Sequence, residues 1–327
     1  MEAIILAAGH ATRLYPLTIN RPKPLLKINN KPIINYIIEH LEESTEIEKI
    51  NIATNKKFKT EFEEWLTTIN SKKPIKLISN HVMDQKEKFS AMDNVKLALD
   101  TEKINNDCLI IAGDGIFNFE IKELIEKFKK TNKSLLLACD IGDKEKTRPY
   151  NNLLLDNDGK VIKSIEKPEN PTTSLISICY YLLKKEDLNL LDTYLKETEN
   201  LDAPGHFIQW LHNKTEFNSH KIPNIWFDIG NARDMLNANK SFMGKEPIIE
   251  NNVSLNNSTL HGKVHIYNDC TIENSKVEDC IIFEKTSIKN CQLKNCIIDK
   301  NTTISNLNLD GSIIGPNTNL NSEPKSN

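Results

Sequence analysis

Between Ile249 and Leu320 the apolar residues recur at intervals that neither a helix nor an ordinary strand produces. They fall at Ile249, Leu255, Leu260, Ile266, Ile272, Val277, Ile282, Ile288, Leu293, Ile298, Ile304, Leu309, Ile314 and Leu320, every step being five or six residues. From Ile272 the steps settle into five, five and six, so that Ile272, Ile288, Ile304 and Leu320 stand 16 residues apart. Three short strands per turn, each with one inward residue, make a parallel β-helix of the hexapeptide type in a shortened register. Such coils bury a continuous core only by stacking, and this length suggests about four to five of them. Cys280 and Cys296 lie one period apart, as do Ser275 and Cys291, in the small-residue slot before an apolar beat. Free cysteine packs there as a small hydrophobe, which explains the cluster without metal or disulfide. Asn274, Asn290 and Asn301 fall at corners that need φ > 0 or side-chain-to-backbone bonds. His261 and His265 are the only histidines of the repeat, and no acyl-transfer motif accompanies them. The repeat therefore reads as a domain support or an oligomerisation element, and a homo-oligomer is the expected assembly.

The residues before the repeat alternate differently. Strand-like runs at Glu2–Ala7, Ile47–Thr54, Ile75–Ser79, Cys108–Ala112 and Leu135–Asp140 are separated by helical patterns at 32–43, 58–70, 94–99 and 120–131. This βαβα order predicts an open α/β sheet, mixed but mostly parallel and Rossmann-like. At 327 residues the chain is long for one domain. The expected division is an α/β domain over 1–244, a β-helix over 245–321 and a tail over 322–327.

Net charge is −3, which argues against a general nucleic-acid binder. No apolar run approaches a membrane span, and the run Ala3–Ala8 is too short for a signal-peptide core. Seven cysteines without a CxxC spacing point to a reducing cytoplasm. Glycine occurs 11 times and arginine only at Arg13, Arg21, Arg148 and Arg233, so the places where either survives are candidates for a functional role.

In open α/β sheets ligands bind beyond the carboxyl ends of the strands. After the first strand stands Gly9-His10-Ala11-Thr12-Arg13-Leu14-Tyr15-Pro16-Leu17-Thr18, running on to Arg21-Pro22-Lys23-Pro24-Leu25. A glycine loop there exposes backbone N–H groups to phosphate, and Arg13 and Lys23 supply a fork and a point charge. After later strands come Gly113-Asp114-Gly115, Glu166-Lys167-Pro168 and Trp226-Phe227-Asp228-Ile229-Gly230, with Asp202–Trp210 between the last two. Together these motifs, in this order, resemble the sugar-1-phosphate nucleotidylyltransferases, the glucose-1-phosphate thymidylyltransferases among them. The likeness covers about residues 1 to 243. In that family a left-handed β-helix often follows the catalytic domain.

The resemblance implies a reaction and a set of roles. A nucleoside triphosphate and a sugar 1-phosphate give a nucleotide sugar and pyrophosphate. Leu6, Ala8, Gly9, His10, Ala11, Thr12, Arg13, Lys23, Ser90, Ala91 and Gly113 would bind nucleotide. Arg13, Lys23 and Lys167 would be catalytic, on the β/γ-phosphates, the α-phosphate and the sugar phosphate. Glu166, Lys167, Asn151 and Cys179 would meet the sugar, and Asp114 and Asp228 would hold Mg²⁺, a hard cation that prefers oxygen ligands. No nucleic-acid or membrane partner is implied.

The chain also departs from the family pattern. Ala11 stands for a glycine in the first loop. Gly115 replaces the asparagine that often follows the metal aspartate. Asn151 and Cys179 replace glycines that lie against the sugar, and Glu87–Met92 lacks the glutamine of the thymidylyl enzymes. The phosphate chemistry is kept while the recognition surfaces change, which predicts an active enzyme with an altered sugar site. Two other readings are a cytidylyltransferase acting on a non-sugar phosphate such as phosphocholine, and a non-catalytic regulatory subunit of the same two-domain plan. Retention of Arg13, Lys23, Asp114, Lys167 and Asp228 together speaks against the second.

Overall fold

The computed structural model describes residues 1–84, 86–87, 89–117, 119–198, 203–223 and 226–322. Lys88 of the base loop, Asp202 of the Asp202–Trp210 stretch and the tail beyond 322 lie outside the described residues. The chain packs as two compact units. One comprises Met1–Gly9 with Ile33–Trp226; the other comprises His10–Pro32 with the chain from Phe227 onward. Packing thus groups the segment 10–32 differently from the linear boundary at residue 244.

The first unit is built on a nine-stranded sheet. Its centre is Glu2–Leu6, parallel to Lys49–Thr54 on one side and to Cys108–Ala112 on the other. Ile75–Ser79 extends the parallel side. Leu175–Leu183 runs antiparallel to Cys108–Ala112 and brings in Leu135–Asp140 and Asn151–Leu155. Ala3, Ile4, Ile5, Leu109, Ile110 and Ile111 are fully buried, as a parallel centre covered on both faces requires. Helices follow the predicted pattern: Ile33–Glu42, Lys59–Leu66, Ala91–Glu102 and Ile121–Thr131. The last buries Ile121, Leu124, Ile125 and Phe128, an i, i+3, i+4, i+7 stripe.

The second unit contains the β-helix. Among the described residues its strands form three parallel sheets of five, five and four strands. Ile272, Ile288 and Ile304 stack in register and are fully buried. The small-residue slot does more than fill space. The Cys291 N–H donates to the Ser275 hydroxyl at 2.9 Å, and the Cys296 N–H donates to the Cys280 sulfur at 3.4 Å, each one period back. Every cysteine of the chain is free. Asn274, Asn290 and Asn301 have φ of 47°, 54° and 56°, the left-handed corners expected of them. Their side chains also form ladders, Asn290 to Asn306 at 2.9 Å and Asn301 to Asn317 at 3.1 Å. His265 is fully buried, stacked on Tyr267 at 4.1 Å and bonded to Glu250 at 2.9 Å, so it is a core residue and is closed to an acyl substrate. Among the described residues no helix is long and apolar enough to cross a membrane.

Candidate functional site

In the first unit the exit of the central strand is fixed by backbone bonds. The Gly113 N–H donates to the Leu6 carbonyl and the Ala7 N–H to the Ala53 carbonyl, both at 2.8 Å. The Ala8 carbonyl accepts from the Asn55 side chain at 2.8 Å. The chain is thereby held to its end at Gly9, where a Cβ would meet nothing within 4 Å. That open space is what a phosphate-binding turn needs on its ligand side. Gly113 and Asp114 form the turn between Cys108–Ala112 and Gly115–Phe117, with the Asp114 side chain half-buried.

Cys179 is electrostatically joined to two of the expected site residues. Burial, and after it the negative charges of Asp114 and Glu166, push its thiol well above the ordinary range. The thiol is therefore protonated at neutral pH. Glu166 ends the strand Val161–Glu166, and its N–H donates to the Gln209 side chain at 2.7 Å. Lys167 then turns at φ 47° ahead of Pro168, with its N–H on the Tyr150 carbonyl at 3.0 Å. A left-handed conformation costs a residue with a side chain about 1–2 kcal/mol, and the residue before proline is normally extended. The strain is thus stored at the lysine expected to meet the sugar phosphate.

Asn151, also expected at the substrate, spends its amide on the protein. Its Nδ2 donates to the Gly205 carbonyl at 3.2 Å, and its Oδ1 accepts from Ser164 at 2.8 Å. It is buried and braces the strand Val161–Glu166 to the helix Pro204–His212. Ser90 and Ala91 open the helix Ala91–Glu102, where Ser90 and Asp93 form a reciprocal capping box at 3.0 and 2.8 Å.

In the second unit Ala11 adopts φ 48°, ψ 48° and caps the short 3₁₀ turn Thr12–Leu14. The buried Thr18 hydroxyl donates back to the Ala11 carbonyl at 2.9 Å and closes the loop. Arg13 and Thr12 are exposed, while His10 is half-buried. Arg13, Asp228 and Asp234 converge on Gly230: a Cβ built there would lie 4.0 Å from Arg13 Nη1, 3.8 Å from Asp228 Oδ2 and 3.1 Å from Asp234 Oδ2. Lys23 is buried, with its Nζ 3.6 Å from Asp228 Oδ1. Three of the expected residues, Arg13, Lys23 and Asp228, are therefore gathered in one unit, and three others, Asp114, Glu166 and Cys179, in the other. Arg21 has a different partner: its guanidinium is bonded to the Asp299 carboxylate of the β-helix.

Sequence reasoning missed Gln209, Asn55, Asp234 and Asp299. Gln209 had a signal, because it stands one helical turn after Gly205 and faces the same strand end. Asp234 had another, standing three residues after the helix-capping Asn231, which accepts from its N–H at 3.1 Å. Asp299 carried none, because its partner is 278 residues away.

The Nucleotidyl transferase family matches residues 2–244, and the GlmU-like C-terminal hexapeptide family matches residues 227–323. The bifunctional protein GlmU of Methanocaldococcus jannaschii is 31% identical over 75% of this chain and 55% of its own length. The bifunctional sugar-1-phosphate nucleotidylyltransferase/acetyltransferase of Sulfurisphaera tokodaii is 30% identical over 84% of this chain and 63% of its own. The chain thus spans between about half and two thirds of the length of these curated relatives. A crystal structure from Bacillus anthracis, named for a glucose-1-phosphate thymidylyltransferase and holding sucrose, superimposes with a TM-score of 0.63 at 22% identity, covering 75% of this chain and 97% of its own, and it supports the fold. With its motifs, its sheet and a family match over 2–244 in agreement, the chain belongs to the Nucleotidyl transferase family.

Proposed function

We propose that the chain transfers a nucleotidyl group from a nucleoside triphosphate to a sugar 1-phosphate, giving a nucleotide sugar and pyrophosphate. The observation that carries this reading is the meeting of Arg13 and Asp228 at Gly230, with Lys23 Nζ 3.6 Å from Asp228, in a chain that matches the family throughout that region. A sugar-phosphate oxygen attacks the α-phosphorus, and the bond to the bridging oxygen breaks, its electron pair leaving with pyrophosphate. The nucleophile is already ionised at neutral pH, so no general base is required. Catalysis is then positioning and charge neutralisation. Arg13 would hold the β- and γ-phosphates in its fork, Lys23 would neutralise the α-phosphate, and Lys167 would hold the sugar phosphate. Glu166, fixed through its backbone by Gln209, would accept hydrogen bonds from sugar hydroxyls. A cysteine side chain at Cys179, whose thiol feels the charge of Glu166, supports a sugar site of altered shape.

Mg²⁺ is the proposed cofactor, with Asp114 and Asp228 as its carboxylates. Both are half-buried oxygen donors. That donor set fits a hard cation that draws the rest of its shell from phosphate and water. When bound, it would supply charge neutralisation on phosphate oxygens. The free cysteines support a reducing, cytoplasmic setting.

Pyrophosphate release from five nucleoside triphosphates against a panel of sugar 1-phosphates, with Mg²⁺ or with chelator, tests the reading. At least one pair should turn over, and Lys23→Met should lower that turnover by about a hundredfold or more. Silence from every pair would overturn it in favour of a regulatory subunit. Equal rates with chelator would overturn the metal assignment.

A further inference from the structure

We propose that one corner column of the β-helix is the seat of the nucleotide loop, which makes Asp299 a positioning residue for Lys23; the inference rests on the nucleotidyl-transfer reading above. Tyr267, Phe283, Asp299 and Gly315 each follow a two-residue strand, and those strands pair in register, Ile266 with Ile282, Ile282 with Ile298 and Ile298 with Ile314. The four residues therefore stack one per coil. A β-helix corner needs no more than small or turn-forming residues, yet this column holds two aromatics and a carboxylate, all essentially buried.

What buries them is the segment 16–30, laid along the column in order. A Cβ on Gly315 would come within 2.8 Å of Pro16 Cγ, so the coil approaches the proline ring closely. Arg21 bonds the Asp299 carboxylate and lies 6.0 Å from the Phe283 ring centroid. Lys27 Nζ lies 5.3 Å from the Tyr267 ring centroid and 2.6 Å from Glu284, one residue beyond the column. The Asn30 N–H donates to the Tyr267 hydroxyl at 3.2 Å. Sequence order in the loop thus maps onto coil order in the helix, from the fourth member of the column down to the first.

Lys23 stands between the Arg21 and Lys27 anchors, itself buried and 3.6 Å from Asp228. A buried carboxylate is tolerated when it is paired and costly when it is not. Asp299, with its side chain 1% exposed, therefore holds Arg21 firmly, and with it the backbone two residues before Lys23. The β-helix, read from sequence as a support or an oligomerisation element, is in this respect part of the phosphate site's geometry.

The test uses the full chain with Asp299→Asn, which keeps the volume and removes the charge, and with Gly315→Ala, which presses on Pro16 from the other end. Amide exchange over residues 12–30 should quicken about tenfold or more in each, with the exchange of the sheet strands 108–112 and 287–289 unchanged. In pyrophosphate release the KM for the nucleoside triphosphate should rise about tenfold or more, while that for the sugar 1-phosphate stays within about twofold. Unchanged exchange in the loop would overturn the proposal. So would an equal loss toward both substrates with the loop still protected, because that marks a merely structural role. If Asp299→Asn fails to fold, Gly315→Ala and Arg21→Gln carry the same two readouts. If the unaltered protein releases no pyrophosphate with any pair, the activity reading fails, and loop exchange alone still decides the docking.

Discussion

The carboxylate of Glu166 occupies the space that a side chain on Gly205 would take: an ideal Cβ there would lie 1.7 Å from Glu166 Oε2 and 2.5 Å from its Cδ. Gly205 is in the first turn of the helix Pro204–His212, so the helix is notched to receive the carboxylate. The obstructing atoms are the far end of a flexible side chain, which can swing away. Alanine is also the better helix former. Gly205→Ala is therefore expected to change stability by less than about 1 kcal/mol while displacing Glu166. The KM for the sugar 1-phosphate should rise about tenfold, with the nucleoside triphosphate KM little altered. Steady-state kinetics beside a urea melt separates the two.

Ala11 sits in the left-handed region without a glycine's freedom. That conformation costs about 1–2 kcal/mol for alanine, against about 0.4–1 kcal/mol of unfolded-state entropy that a glycine adds. Ala11→Gly should raise stability by about 0.5–1 kcal/mol, measured by denaturant melts. A loss of stability would mean that the loop gains more from a stiff chain than it loses to strain.

His40 is buried in the helix Ile33–Glu42, edge-on to Phe119 at 4.7 Å and Tyr180 at 6.1 Å, with the exposed Glu43 carboxylate 3.8 Å from its Nδ1. Burial lowers its pKa from 6.5 to about 4. Between these values the unfolded chain binds a proton that the folded chain refuses. Stability is therefore whole above about pH 6.5, falls as pH drops, and levels off below about 4, by about 3 kcal/mol in all. His40→Leu should remove that part of the acid sensitivity, seen as a smaller difference between melts at pH 7 and pH 5.

Glu284 gives the opposite kind of pH signature. Burial works to raise its carboxyl, but the Lys27 hydrogen bond, a backbone hydrogen bond and the charges of Lys27 and Arg21 together outweigh it, and the pKa lies below the ordinary 4.5. A lowered carboxylate contributes stability that is present above the unfolded value and lost as pH falls through the folded one. The Lys27 anchor should therefore hold unchanged from neutral pH to about 5 and weaken below the carboxylate range. Glu284→Gln should lower the melting temperature at pH 7 and show a smaller further drop at pH 4 than the unaltered protein.

The fold was legible wherever a local period expresses it. The stacked Ile272, Ile288 and Ile304 and the asparagine corners follow from a 16-residue beat that any single coil repeats. The parallel centre of the sheet likewise follows from βαβα order. The candidate site was legible as motifs, one strand end at a time. The partners of those motif residues were not, because they are set by distant chain. Asn151 reads as a sugar contact, and nothing near it in sequence marks Ser164 and Gly205 as partners of its amide. Arg21 reads only as one letter of the first motif, and nothing near it in sequence marks Asp299 as its partner. No periodicity marks the corner column, since its members share a position in the coil and differ in chemistry.

The seating of Pro16, Arg21, Lys27 and Asn30 on coils made more than 230 residues later has a consequence for synthesis. As the chain leaves the ribosome, the strand Glu2–Leu6 can find Lys49–Thr54 early, but the loop that follows it has no seat until Tyr267 emerges and no complete one until Gly315 does. The first functional segment to be translated is thus the last to acquire its final surroundings. A chain stopped short of Asp299 would leave both Pro16 and Arg21 unseated however well its sheet had formed.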